Sequence, residues 1–458
     1  MTTTIGLPPA PKNPLPLRQQ VAALRAYDTG LEILRDAGGP VTRLVLAPSV
    51  LMPPVVVATS PRGAFDILGK DGHGVDKNRF HRETRHILGP NLFDLEHQDW
   101  LPRRRALAPV FTKQNVRTLG VHMSDAAASI SAEWGDRARV DLDAESRKLT
   151  MRALGRSVLG LDVSARLENL ADQLQLTLKY VADRAMQPVR PPRWLPTPGR
   201  RRATQTSKTM HQLADEILRA CRSDPDRDAP LVRALMAATD PDTGAPLTDE
   251  QIRSELVIFV IAGHDTTATT LAYSMWQLGR NPDMQRRVAA EAAAIGAGQL
   301  TTSDVGQLVY TSQVLREALR MCPPGAATGR LATEDIEVDG FSVEAGTMLV
   351  VGIYALHHDP ALWDDPLTFD PDRFSEERSA DRDRWQYLPF GAGPRSCIGS
   401  HFAMLEATLA LATIVRDNEI VSAGDDFPTA VPFTTIAAKP IPATVTKRVA
   451  SATQPAAR

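Results

Sequence analysis

Residues 390 to 399, FGAGPRSCIG, set Cys397 among three glycines, a proline and Arg395, just ahead of SHFAMLEATLALATIVR, whose apolar residues recur at three- and four-residue spacing. A helix N-terminus carries unpaired N–H groups and partial positive charge, so a sulfur placed there is favoured as thiolate, the form that binds metal. Gly391, Gly393 and Gly399 permit backbone conformations and close approaches that a Cβ would forbid, as a loop laid against a large planar ligand requires. The plainer reading of such a cysteine is a small buried hydrophobe. A second constellation breaks the apolar run ELVIFVIAGHDTTATTLAYSMW at Asp265 and Thr266. A carboxylate beside a hydroxyl can hold water and relay protons, while the plainer reading of Thr266 is a hydroxyl bonded back to a helix carbonyl. Glu317 and Arg320 form an i,i+3 pair on one helix face.

The cysteine loop resembles the signature of the cytochrome P450 family, F-x-x-G-x-R-x-C-x-G, met here by Phe390, Gly393, Arg395, Cys397 and Gly399. The other stretches are similar to further motifs of that family and follow its order. Ala262, Gly263, Asp265 and Thr266 match A-G-x-[DE]-T, where the family's central helix crosses the distal haem face and widens locally for dioxygen. Glu317 and Arg320 match E-x-x-R, and FDPDRF supplies a third member, Arg373, with Asp372 where many relatives carry glutamate. Trp100 and Arg104 match W-x-x-x-R, and His97 lies outside that pair. The resemblance implies that Cys397 is the axial ligand of haem b (iron protoporphyrin IX), donating electron density that favours O–O cleavage. It further implies cofactor contacts from Phe390, Gly391, Ile398, Gly399, Ala262 and Gly263. Trp100, Arg104, Arg330 and Arg395 are implied at the haem propionates, a role that suits the planar guanidinium fork. Asp265 and Thr266 are implied as the proton-delivery pair, and Glu317, Arg320 and Arg373 as a structural triad supporting the loop.

These side chains need a scaffold, and its elements are readable. VTRLVLA and PPVVVATS read as strands, followed by a helix with Ser60 as cap and Pro61 in its first turn. From about 100 to 330 the pattern is almost wholly helical, broken at MQPVRPPRWLPTPGRRR and SDPDRDAP. The helix carrying Trp100 is expected to start near 101, with Pro102 in its first turn. Arg103 and Arg105 read as solvated charge, or as a basic face for an acidic redox partner. IEVDGFSV turns through Asp339 and Gly340 as hairpins do, and TMLVVGIYAL extends the β region. The expected fold class is mainly α with a smaller β-rich lobe, the P450 fold, with haem between the central helix and the cysteine loop. One domain is expected over 18–446, after a proline-rich extended arm at 1–17 and before a flexible tail at 447–458.

Lys plus Arg number 52 against 54 Asp plus Glu, so no strong field argues for nucleic acid or an anionic membrane as main partner. Three cysteines are too few for a disulfide framework. The N-terminal stretch lacks the basic and apolar pattern of a signal peptide or anchor, so a cytoplasmic monomer is expected. Phe80, Leu88, Leu92, Phe93, Phe259, Ala262, Ala326 and Ala327 fall in segments that correspond to the family's pocket walls, and their apolar character favours a lipophilic substrate. The expected reaction is insertion of one oxygen atom from O₂, hydroxylation foremost. With no flavin or dinucleotide loop in view, electrons would come from a separate ferredoxin and its NAD(P)H-dependent reductase. A hydrogen-peroxide-driven peroxygenase and a non-enzymatic haem sensor are the alternatives; the presence of both Asp265 and Thr266 speaks against each.

Overall fold

A run of 32 residues that is apolar on nearly every side forms one helix, Asp249–Arg280, about 48 Å long. Thr248 and Gln251 cap its start reciprocally: the Thr248 N–H donates to Gln251 Oε1 (2.8 Å) and the Gln251 N–H to Thr248 Oγ1 (3.3 Å). This helix is long and apolar enough to cross a membrane, but its apolar stretch is largely buried inside the protein, as befits the axis of a core. The helices Leu142–Leu154, Pro198–Ser223 and Ser400–Asp417 pack along it. The computed structural model describes residues 6–48, 52–159, 164–185, 187 and 190–448.

The β-rich lobe is built on a five-stranded sheet with the order Val41–Leu44, Val55–Ala58, Met348–Gly352, Ala327–Ala332, Val75–Asp76. Val55–Ala58 runs parallel to Met348–Gly352, and the other pairings are antiparallel. Register places Arg330 opposite Leu349. Ser60 caps the helix Pro61–Leu68 by accepting the Gly63 N–H (3.0 Å). Asp339 and Gly340 turn a hairpin with φ of 50° and 81°, the left-handed pair that such a turn demands.

Several expectations change. The segment TMLVVGIYAL leaves the sheet after Gly352 and becomes the short helix Ile353–His357. The proline-rich arm is extended from residue 6 to 16 but belongs to the lobe: Arg43 N–H donates to the Pro11 carbonyl (2.7 Å) and Ser342 N–H to that of Pro8 (2.9 Å). Within the stretch read as almost wholly helical, Ala138–Asp141 forms a strand against Pro442–Lys447. That last strand includes Lys447, the first residue of the expected tail; 449–458 and 1–5 lie outside the described residues. The helix of Trp100 begins at His97, not near 101, so Pro102 sits inside it. Asp76 fixes that start by accepting the His97 N–H (3.1 Å). The carbonyl deprived of a partner by Pro102 belongs to Gln98, which is exposed and free to bond water.

Candidate functional site

The cysteine loop is held at both ends. Leu388 N–H donates to His357 Nε2 (2.8 Å), Cys397 N–H donates to the Phe390 carbonyl (2.9 Å), and the helix Ser400–Asp417 starts three residues beyond the sulfur. Gly391 and Gly393 have φ of 65° and 72°, and a Cβ on Gly393 would lie 2.1 Å from the Leu68 carbonyl oxygen. Gly399 has an ordinary φ of −89°; there a Cβ would stand 4.0 Å from Cys397 Sγ. Cys397 lies deep in the protein yet keeps free surface, so its side chain faces interior space. Burial pushes its thiol up, against the pull of the Gly399 N–H and the Arg104 guanidinium.

On the central helix, Ala262 and Thr266 carry free surface in an otherwise buried stretch, and Gly263 packs its backbone against Leu154. The helix is α throughout, without the local widening that the resemblance implies. Thr266 Oγ1 donates to the Ala262 carbonyl (2.7 Å), the back-bond that polar helix residues favour. Asp265 is buried and turned away, paired with Arg147, which also binds Asp143 (2.7 Å). Neighbours on a helix point about 100° apart, so Asp265 and Thr266 do not touch each other directly. His264, 3.7 Å from Asp265, is buried and held to about 4 by that burial.

Glu317, Arg320 and Arg373 come together. Glu317 and Arg320, both fully buried, pair twice at 2.8 Å, and Arg373 Nε lies 3.4 Å from Glu317. Arg320 also donates to the carbonyls of His357 (2.9 Å), Pro366 (2.8 Å) and Thr368 (3.3 Å), while Glu317 accepts the Asp370 N–H (3.0 Å). Asp372 stands apart and pairs with Arg287 at the surface (2.8 Å).

Around the other edge of the site, Arg395 lies over the Trp100 ring, 4.5 Å from its centroid. Its guanidinium binds Asp71 (2.6 Å), Asp76 (3.0 Å) and the Leu95 carbonyl (2.6 Å). Arg330 is buried, 3.3 Å from the same Asp71. Asp71, which also meets His97 (3.2 Å), holds both arginines in place. The Arg104 guanidinium, half-buried and close enough to Cys397 for its charge to be felt there, meets no carboxylate among the described residues. These groups fit a dianionic planar ligand whose metal would be held by Cys397. Arg103 is neither solvated nor part of a basic face: it is buried and binds fully buried Glu255 (2.7 Å), which also accepts the Leu92 N–H at 3.0 and 3.1 Å. Arg105 pairs with Asp242 at the surface (2.9 Å).

Of the pocket residues, Phe80, Phe93, Phe259, Ala262 and Ala327 keep free surface, whereas Leu88, Leu92 and Ala326 are packed into the core. Phe433, unremarked in the sequence, joins Phe80 and Phe93 with ring centroids at 5.3 and 5.8 Å. Its signal was weak: an aromatic in a C-terminal loop far from every motif. Glu83, also missed, is gripped by Arg184 (2.9 Å), Arg190 (3.0 Å) and Arg193 (3.5 Å).

A loop-borne cysteine whose following helix packs on a long core helix, with a buried Glu–Arg–Arg triad tied through His357 to the start of the loop, points to the haem-thiolate class. A family model for cytochrome P450 matches residues 9–446, and the chain belongs to that family. It is 33% identical over 344 residues to cyclooctat-9-en-7-ol 5-monooxygenase of Streptomyces melanosporofaciens, covering 74% of each chain. Pentalenene oxygenase of Streptomyces avermitilis is 29% identical over 337 residues, 73% of this chain and 75% of that one. Leukotriene-B4 omega-hydroxylase 3 of Mus musculus is 30% identical over 359 residues, 72% of this chain and 68% of that one. The protein is a P450 monooxygenase, an oxidoreductase that incorporates oxygen.

Proposed function

We propose that the enzyme hydroxylates a lipophilic, terpenoid-like molecule, using O₂ and electrons from a separate ferredoxin and reductase, with haem b held by Cys397. The observation that carries this reading is the Cys397 side chain, deep in the protein but free at its surface, on a loop whose glycine geometry no other residue type adopts easily. When bound, the haem supplies reductive activation of O₂. Arg104, Arg330, Arg395 and Trp100 orient it, and the first three offer charge to its carboxylates. Phe80, Phe93 and Phe433 surround the substrate with apolar surface and exclude water. Thr266 delivers a proton at Oγ1 once its bond to the Ala262 carbonyl is exchanged for one to an ordered water. Asp265, paired with Arg147, takes no direct part in that transfer. The terpenoid assignment is supported by the activities that name the two Streptomyces relatives.

The test is the carbon monoxide difference spectrum of the reduced protein, taken beside Cys397→Ala. A red-shifted Soret band lost in the variant supports thiolate ligation, and no haem band in folded wild-type protein refutes the reading. Thr266→Ala should keep the band and lose product formation; equal turnover would remove Thr266 from proton delivery.

A further inference from the structure

Glu255 stands in the second turn of the central helix with no exposed surface, and its carboxylate does two things. Oε1 accepts from Arg103 Nη1 (2.7 Å), and both oxygens accept the single N–H of Leu92, at 3.0 and 3.1 Å. Stability does not account for this arrangement. Replacing a buried ion pair by apolar residues of similar volume is often neutral or stabilising, because desolvation of the two charges offsets their attraction. Burial here pushes the Glu255 carboxyl up to about 7, against the pull of Arg103 and of the Leu92 N–H. What the pair provides and an apolar pair would not is direction: an acceptor fixed in place and aimed at one backbone N–H.

That N–H belongs to the loop between the helices Arg79–Leu88 and His97–Leu107. Three consecutive N–H groups of the loop find side-chain acceptors: Asn91 on Asp94 (3.1 Å), Leu92 on Glu255, and Phe93 on Asn91 (3.0 Å). Of these acceptors only Glu255 comes from another element. The loop backbone lies close to the central helix here, since a Cβ on Gly89 would stand 3.0 Å from Ser254 Oγ. The next side chain along is Phe93, which keeps free surface and sits at the centre of an aromatic group, 6.4 Å from Phe80, 5.1 Å from His81 and 5.8 Å from Phe433 between centroids. Glu255 and Thr266 share one helix and lie about 16 Å apart along its axis. Fixing Leu92 to Glu255 therefore sets where the Phe93 ring stands relative to Thr266. We propose that Glu255 is a positioning residue for substrate selection, holding Phe93 as a fixed wall of the pocket through the Leu92 N–H. The inference rests on the pocket and haem readings above.

The experiment is a Soret titration of the haem-loaded protein with imidazole and with clotrimazole, an imidazole that carries three aryl rings and so reaches the pocket walls. Arg103→Leu/Glu255→Leu removes both charges and the acceptor together, while Arg103→Leu/Glu255→Gln removes the charges but keeps an oxygen for the Leu92 N–H. The leucine pair should bind clotrimazole about 3- to 10-fold more weakly than wild type, the worth of one hydrogen bond, and bind imidazole unchanged. The glutamine variant should regain most of the loss. Phe93→Ala should also weaken clotrimazole binding, and in that background the leucine pair should add nothing further, because Glu255 acts through Phe93. An equal loss for both azoles, no loss for either, a leucine pair that does not fold, a glutamine variant no better than the leucine pair, or a loss that persists in full without the Phe93 ring would overturn the proposal and leave Glu255 a residue of the core. Two outcomes strike elsewhere: wild-type protein without a haem Soret band refutes the haem reading, and clotrimazole binding untouched by Phe93→Ala refutes the pocket reading and the proposal with it.

Discussion

Substituting Glu317 by alanine should strip the cysteine loop of its support, and the structure sets the size of the effect. Glu317 is the counter-charge of Arg320, which has no exposed surface, and the nearest carboxylate to Arg373. Its removal leaves a buried guanidinium with carbonyl acceptors only, and leaves the Asp370 N–H without its acceptor. Removing one partner of a buried pair costs about 3–5 kcal/mol, a large share of the roughly 5–15 kcal/mol that holds a domain folded. In a chain this long the unfolding entropy is large, so the cost appears as a shift of only about 3–5 °C in a thermal melt. Haem content is the sharper readout. Arg320 grips the carbonyls of His357, Pro366 and Thr368, and His357 in turn accepts the Leu388 N–H at the start of the loop. Loss of Glu317 should therefore loosen the path to Cys397 before it unfolds the whole protein. The assay is the haem-to-protein ratio of purified Glu317→Ala, with Glu317→Gln as the arm that keeps shape and one hydrogen bond but loses charge. Little or no haem in the alanine variant, and intermediate loading in the glutamine variant, is expected. A fully loaded Glu317→Ala protein as stable as wild type would refute the reasoning.

The Arg103–Glu255 pair predicts a double-mutant cycle: Arg103→Leu alone should destabilise by about 3–5 kcal/mol, while Arg103→Leu/Glu255→Leu should recover more than half of that loss in denaturant unfolding. Additive losses would show that the two charges do not act as a unit. Buried His358, held to about 4 by burial, gives a pH dependence. Its unfolded counterpart takes up a proton near 6.5, so its contribution is complete above that pH and is lost as pH falls towards 4, by about 3 kcal/mol. His358→Phe keeps the stack on Tyr354, 4.0 Å between centroids, and should flatten the acid limb of stability in that window; an unchanged limb would count against it.

What was legible in the sequence is what neighbours along the chain decide. Ser60 with Pro61, the Asp339–Gly340 turn, and the Glu317–Arg320 spacing each specify their geometry within four residues, and all three appear in the fold. The apolar girth of the central helix marked it as buried for the same reason. The start of the Trp100 helix was misplaced because Asp76, which accepts the first N–H, comes from a strand twenty-one residues earlier.

The site's electrostatics obey a different rule. Arg103 and Arg105 are two residues apart in one helix and alike in sequence, yet one is buried on Glu255, 152 positions away, and the other is exposed on Asp242. No periodicity distinguishes them, since the burial of each depends on which element packs opposite. Asp265 shows the same limit: its pairing with Arg147 across 118 residues turns it from Thr266 towards a neighbouring helix. Motif resemblance therefore points to the residues assigned to a shared ligand, while the charges that hold those residues in place are particular to how this chain packs. Asp71 is the sharpest case. It carries no motif, yet it binds Arg330, Arg395 and His97 at once, and so fixes two of the arginines on which cofactor orientation would depend.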